Sequence, residues 1–98
     1  MAAKKAAKKF VVVRTYSAGV HFGELVSRKG REVELANAKR IWRWYGANTL
    51  NEIAIRGVEK RSKVSEAVAS LVLTEAIEVI TCSPASVENL TQAGWSVE

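Results

Sequence analysis

The chain has 98 residues, 48% of them hydrophobic and 26% charged, with a formal net charge of +5. That length supports one compact core and excludes two, and no apolar run approaches the ~18 residues that a membrane-spanning helix needs. All ten acidic residues are Glu, beside one His and one Cys, so metal centres, disulfides and acid–base catalysis lack their usual parts. The expectation is a soluble, non-enzymatic protein of a reducing cytoplasm, with no cofactor, no metal and no membrane.

The charge is unevenly spread. Lys4, Lys5, Lys8 and Lys9 supply four positive charges within residues 2–9, AAKKAAKK. Residues 10–63 hold eleven Lys and Arg against five Glu, whereas residues 64–98 hold five Glu and no Lys or Arg. A basic half favours anionic partners, while an acidic half neutralises it within the monomer or across a subunit boundary. Residues 1–9 read as a disordered tail, serving either as an arm onto phosphates or as a solvated extension, and residues 10–98 as a single domain.

Residues 10–16, FVVVRTY, are β-branched and aromatic and form a strand with Phe10, Val12, Arg14 and Tyr16 on one face and Val11, Val13 and Thr15 on the other. Residues 17–23 hold two glycines but lack the lysine and spacing of a phosphate loop, so they read first as a tight turn. A second strand starts at His21 and turns at Arg28-Lys29-Gly30-Arg31 into residues 32–36, where Val33 and Leu35 point in and Glu32 and Glu34 point out. Residues 37–45, NAKRIWRWY, fit helix or strand. Two tryptophans and a tyrosine favour strand, placing Arg40, Trp42 and Trp44 on one face and Lys39, Ile41, Arg43 and Tyr45 on the other.

Thr49 and Glu52 have the spacing of a capping box, so a short helix follows that buries Leu50, Ile53 and Ala54 and ends at Gly57. Residues 59–65, EKRSKVS, read as a mobile loop or edge and as the hinge candidate. Residues 69–81 return to strand character, as one bent strand or two. Ser83-Pro84 opens a last helix with Val87, Leu90 and Ala93 as its apolar stripe, after which Trp95 folds back on the core. The total is an α+β fold: a bent antiparallel sheet or small open β-barrel of five to six strands with two short helices.

A Cys82–His21 nucleophilic pair is conceivable, but a lone cysteine at an apolar strand end reads as a core residue. The stronger constellation interleaves cations and rings: Arg14, Tyr16, His21 and Phe22, then Arg40, Trp42, Arg43, Trp44 and Tyr45. Rings stack on bases and guanidinium groups pair with phosphates. The competing reading puts Trp42, Trp44 and Trp95 in the core, yet leaves Arg40 and Arg43 unexplained. Arg14, Tyr16, His21, Arg40, Trp42 and Arg43 are therefore the expected ligand contacts.

The segments VVVRTYSAGVHFG, KRIWRWYGANTLNEIAIRGV and LTEAIEVITC resemble an uncharacterised family of short proteins encoded in tailed-phage genomes and prophages, a domain of unknown function. The resemblance covers about residues 10–95, and it is most distinctive in RTYSAGVHFG and RIWRWYGANTLNEIA. It implies a small phage product acting in the host bacterial cytoplasm, where such proteins counter bacterial defence, bind nucleic acid or assist assembly. By analogy with phage proteins that trap immune messengers, the first expectation is a homo-oligomer that sequesters a nucleotide-derived ligand. The alternatives are a DNA- or RNA-binding module using the sheet face and the lysine arm, and a structural or host-protein-binding role using Trp95, the acidic C-terminal helix and exposed sheet edges.

Overall fold

A computed structural model describes residues 9–94. Its elements run β1 (Phe10–Thr15), β2 (Val20–Lys29), β3 (Glu32–Arg43), α1 (Leu50–Arg56), β4 (Lys63–Val64), β5 (Val68–Leu73), β6 (Ala76–Thr81) and α2 (Pro84–Gln92). The strands build one antiparallel six-stranded sheet in the order β4-β3-β2-β1-β6, with β5 also on β3. The α+β class with an open, bent sheet is as the sequence indicates. Lys4, Lys5, Lys8 and Trp95 lie outside the described residues; Lys9 is exposed, and its carbonyl accepts from Leu25 N–H at 2.7 Å.

Topology forces the sheet to curl. β4 pairs with Ile41 and Arg43 and β5 with Val33–Ala38, so the two share one side of the long β3. β6 lies at the opposite edge on β1, yet only Thr74 and Glu75 separate it from β5. Two residues span a few ångströms, so the edges must approach each other at that end. Ala76 N–H donates to Arg31 O and Tyr16 N–H to Glu75 O, both at 3.0 Å, and fix the junction.

The curl yields two cores. Val11, Val13, Val33, Leu35, Ala38, Leu73 and Ala76 fill the concave side. On the other face Val12, Phe22, Ile41 and Val64 pack with Ile53, Ala54, Val58 and Leu90 under α1 and α2. The Val11-Val12-Val13 run is buried throughout because β1 is covered on both faces.

Face assignment changes at a bulge. Asn37 has φ 51° and bulges opposite Gly23, where the β2–β3 register shifts. A Cβ on Gly23 would sit 3.1 Å from Ala38 Cα, a close approach that a side chain could take only by shifting its neighbours. Beyond the bulge Ala38 faces the concave core, while Ile41 faces the helices. Arg40 and Trp42 share a face as expected, but Trp44 does not join them: β3 ends at Arg43 and Trp44 packs against the helix-side core.

The two helices are short and support each other. Thr49 Oγ1 accepts from Glu52 N–H at 3.3 Å, and Glu52 Oε1 reaches one residue further back than expected, to Asn48 N–H at 2.9 Å. Seven residues are too few for a stable isolated helix. α2 supplies the rest: Ser83 N–H donates to Ala54 O, the buried Ser86 Oγ donates to Ile53 O at 2.7 Å, and Asn89 binds both backbone groups of Val58.

Residues 59–65 form the edge rather than a free hinge. Val64 is fully buried, Ser62 Oγ accepts from Tyr45 N–H, and Ser65 exchanges bonds with both backbone groups of Arg40. Residues 69–81 resolve into two strands, which sit on opposite edges of the sheet.

Candidate functional site

The densest meeting of cations and rings is at the end of β3. Tyr45 lies two residues past the strand, and its half-buried ring has two guanidinium groups over it, Arg61 at 4.6 Å and Arg43 at 5.8 Å from the ring centroid. Register places Lys63 opposite Arg43. Glu59 binds Arg61 Nε; that hydrogen bond, ahead of the charge attraction, lowers the Glu59 pKa and raises that of Arg61. One carboxylate thus orients one guanidinium, on an edge that also carries Arg43, Lys60 and Lys63. Trp42 is 57% exposed and shares its face with Arg40, next to this stack in sequence.

Such a surface suits a polyanion that carries flat rings. Guanidinium groups donate to phosphate oxygens, and exposed aromatic faces accept stacked bases. It is an open edge, not an enclosed pocket.

The six expected contacts do not form one site. Arg40, Trp42 and Arg43 belong to the edge just described. Arg14 points to the helix-side face, 4.0 Å from Glu78, where it lines a shallow groove of about 350 Å³ with Val20, Trp44, Asn48, Thr49, Leu50 and Asn51. Tyr16, 81% exposed, lines a separate cleft of about 560 Å³ with Arg31, Glu75, Ala76 and Ile77.

His21 is fully buried and so cannot meet a ligand at the surface. It alternates with Val20 and Phe22, which face the helices, so its ring points to the concave side. Nε2 lies 2.9 Å from Ala18 O, and since a carbonyl only accepts, Nε2 carries the proton. Nδ1 is buried with no partner among the described residues. Burial lowers the His21 pKa, against the Ala18 hydrogen bond, and the charge of cross-strand Arg40 lowers it further. The residue is neutral at pH 7 and acts as a packing group.

Cys82 packs against the helix-side core, on the face opposite His21, and burial pushes its thiol pKa up. The arrangement brings no thiolate and imidazole together. Among the described residues, no three His, Cys, Asp or Glu side chains gather as a metal site, and no helix is long and apolar enough to cross a membrane.

Sequence reasoning passed over Lys60, Arg61 and Lys63. Their signal is the three cations of EKRSKVS, a segment that reads locally as a mobile loop or edge because its pairing with β3 is not written in local sequence.

No curated protein and no solved structure matches the chain. A family model does match, over residues 8–90, and so takes in all six strands and nearly all of α2. The chain belongs to the family described as a domain of unknown function, DUF6948.

Proposed function

We propose that this protein is a non-catalytic binding module for single-stranded nucleic acid, held along the β3–β4 edge. The observation that carries the reading is the Tyr45 ring with the Arg43 and Arg61 guanidinium groups over it, and the exposed Trp42 next to Arg43 in the chain. The cationic excess of the N-terminal two thirds supports it, as does the open form of the surface, which admits a strand of any length. Arg40, Trp42 and Arg43 make the contacts, joined by Tyr45, Lys60, Arg61 and Lys63. The lysines of residues 4–9 add phosphate contacts outside the domain.

The test is fluorescence anisotropy of a labelled single-stranded 20-mer titrated with the full chain at two salt concentrations. Neutralising about five phosphates gives a log–log salt slope near −3.5, so affinity falls roughly 100-fold between 50 and 200 mM salt. No anisotropy change up to about 100 µM protein at the lower salt, the weak end of nonspecific binding, rejects the proposal.

The Arg14 groove favours a second reading. Arginine, a tryptophan face and the Asn48 and Asn51 amides suit a phosphate and a base, and the volume is nucleotide-sized. Here the protein is a phage product that sequesters a nucleotide-derived immune messenger in the host bacterial cytoplasm, with the phage context supplied by the segment resemblance. Its test is a thermal shift with cyclic di- and trinucleotides and ADP-ribose derivatives, lost in Arg14→Ala; no shift with any of them rejects it.

A further inference from the structure

We infer that the β5 edge is a homodimer interface, in which Val68–Leu73 pairs antiparallel with the same strand of a second copy about a two-fold axis at Ser70. Among the described residues β5 pairs with β3 alone, so one row of its backbone N–H and C=O groups faces outward. The edge is uncovered as well as unpaired, because Val68, Ala69, Ser70 and Val72 are all exposed, the two valines by 49% each.

Natural edge strands carry a charged residue, often lysine, or a proline, which lacks the N–H donor, and either blocks pairing. This one carries none from Ala67 to Thr74. The edge strand at the other side of the sheet, β6, carries the charge of Glu78. Of the two edges, β5 is the one left open to a neighbour.

The identity of that neighbour follows from the pattern of the strand. In an antiparallel pair, opposed residues lie on the same face. About an axis at Ser70, Val68 opposes Val72 of the second copy and Val72 opposes Val68, so both half-exposed valines are covered in one register. Ala69 opposes Leu71 in the same way, and Ser70 opposes itself. The flanking glutamates do not meet: Glu66 falls opposite Thr74 and Glu75 opposite Ser65. A neutral strand whose side chains complement themselves under a two-fold rotation has a second copy as its matching partner. The axis lies seven residues from Lys63, so the pairing leaves the basic edge uncovered; the inference stands apart from the nucleic-acid reading.

Light scattering coupled to size exclusion tests this on the full chain. The expected result is a monomer–dimer equilibrium with a dimer mass at about 200 µM, consistent with a strand-only contact of small area, and a monomer mass for Val72→Lys, folding being checked by circular dichroism. A register test accompanies it in a Cys82→Ser background: Ser70→Cys forms an interchain disulfide on oxidation and Ala69→Cys does so much more slowly. A monomer at every concentration overturns the inference. So does a dimer that persists in Val72→Lys, equal cross-linking at the two positions, or a mass that grows without limit, which marks β5 pairing head to tail with β6.

Discussion

The Lys39 ammonium lies 2.7 Å from the carbonyl oxygen of Ala93, joining the middle of β3 to the end of α2. It also donates to Thr91 O at 2.8 Å and Leu90 O at 3.1 Å, so its three N–H groups meet three carbonyls of the terminal turn. α2 has no basic residue of its own there, and a strand lysine does the work of a helix C-cap. Lys39→Met removes charge and donors while keeping the packing length. Thermal denaturation followed by circular dichroism should show a loss of about 1–2 kcal/mol, equivalent to a drop of roughly 5–10 °C. A melt matching the parent protein removes the cap from the account.

Gly57 and Asn89 form a second coupled pair. Gly57 has φ 85°, and a Cβ there would lie 2.2 Å from Asn89 Oδ1. Asn89 cannot retreat freely, because its amide accepts from Val58 N–H at 2.8 Å and donates to Val58 O at 2.9 Å. Gly57→Ala should cost about 2–4 kcal/mol through strain and overlap, and Asn89→Ala about 1–3 kcal/mol through unpaired backbone groups. The double variant should lose less than the sum, since removing the amide removes the overlap. Chemical denaturation of all four proteins measures this, and strict additivity contradicts it.

Stability should fall as pH drops from 7 to 5, through His21. Its folded pKa is lowered by burial below the ordinary 6.5. Above 6.5 the folded and unfolded chains are both neutral at this residue, so it contributes no slope. Below 6.5 the unfolded chain takes up a proton that the folded chain holds less tightly, and the loss approaches about 1.4 kcal/mol per pH unit until the folded pKa is reached. Glu52 and Glu59 have pKa values lowered from 4.5 and lose their contribution only below that value, outside the window. His21→Gln keeps a donor toward Ala18 and removes the titration. Its melting temperature should be nearly flat over pH 5–7; a slope equal to that of the parent locates the proton elsewhere.

What was legible in the sequence was local. The Val11-Val12-Val13 run, the turn glycine Gly30 with φ 60°, the Thr49 and Ser83 caps and Gly57 all behave as short-range rules require. What was hidden depends on partners distant in the chain. Asn37 inverts the face pattern of β3 only because Gly23 faces it, and a period-two reading has no signal for such a bulge. Arg61 became a stacking partner of Tyr45 because Val64 pairs with Ile41. The candidate set split for a related reason: Arg14 and Arg40 both lie on strands and both carry charge, but they project from opposite faces. Density in sequence did not translate into proximity in space.

That split makes the competing functional readings separable. If nucleic acid lies on the β3–β4 edge, replacing Arg43 and Arg61 together with alanine removes two phosphate contacts. The salt slope should become shallower by about 1.4 and the affinity at low salt should fall about tenfold or more, with helix and sheet content unchanged. Trp42→Ala should weaken binding by a further 1–3 kcal/mol per lost stack and leave the slope alone, because stacking releases no counterions. Removing residues 1–9 should reduce the slope only if the lysine arm meets phosphates. Arg14→Ala, in the groove beside Trp44, should leave all of this intact. A loss of oligonucleotide binding in Arg14→Ala with Arg43→Ala/Arg61→Ala unaffected would instead place the ligand in the groove beside Trp44.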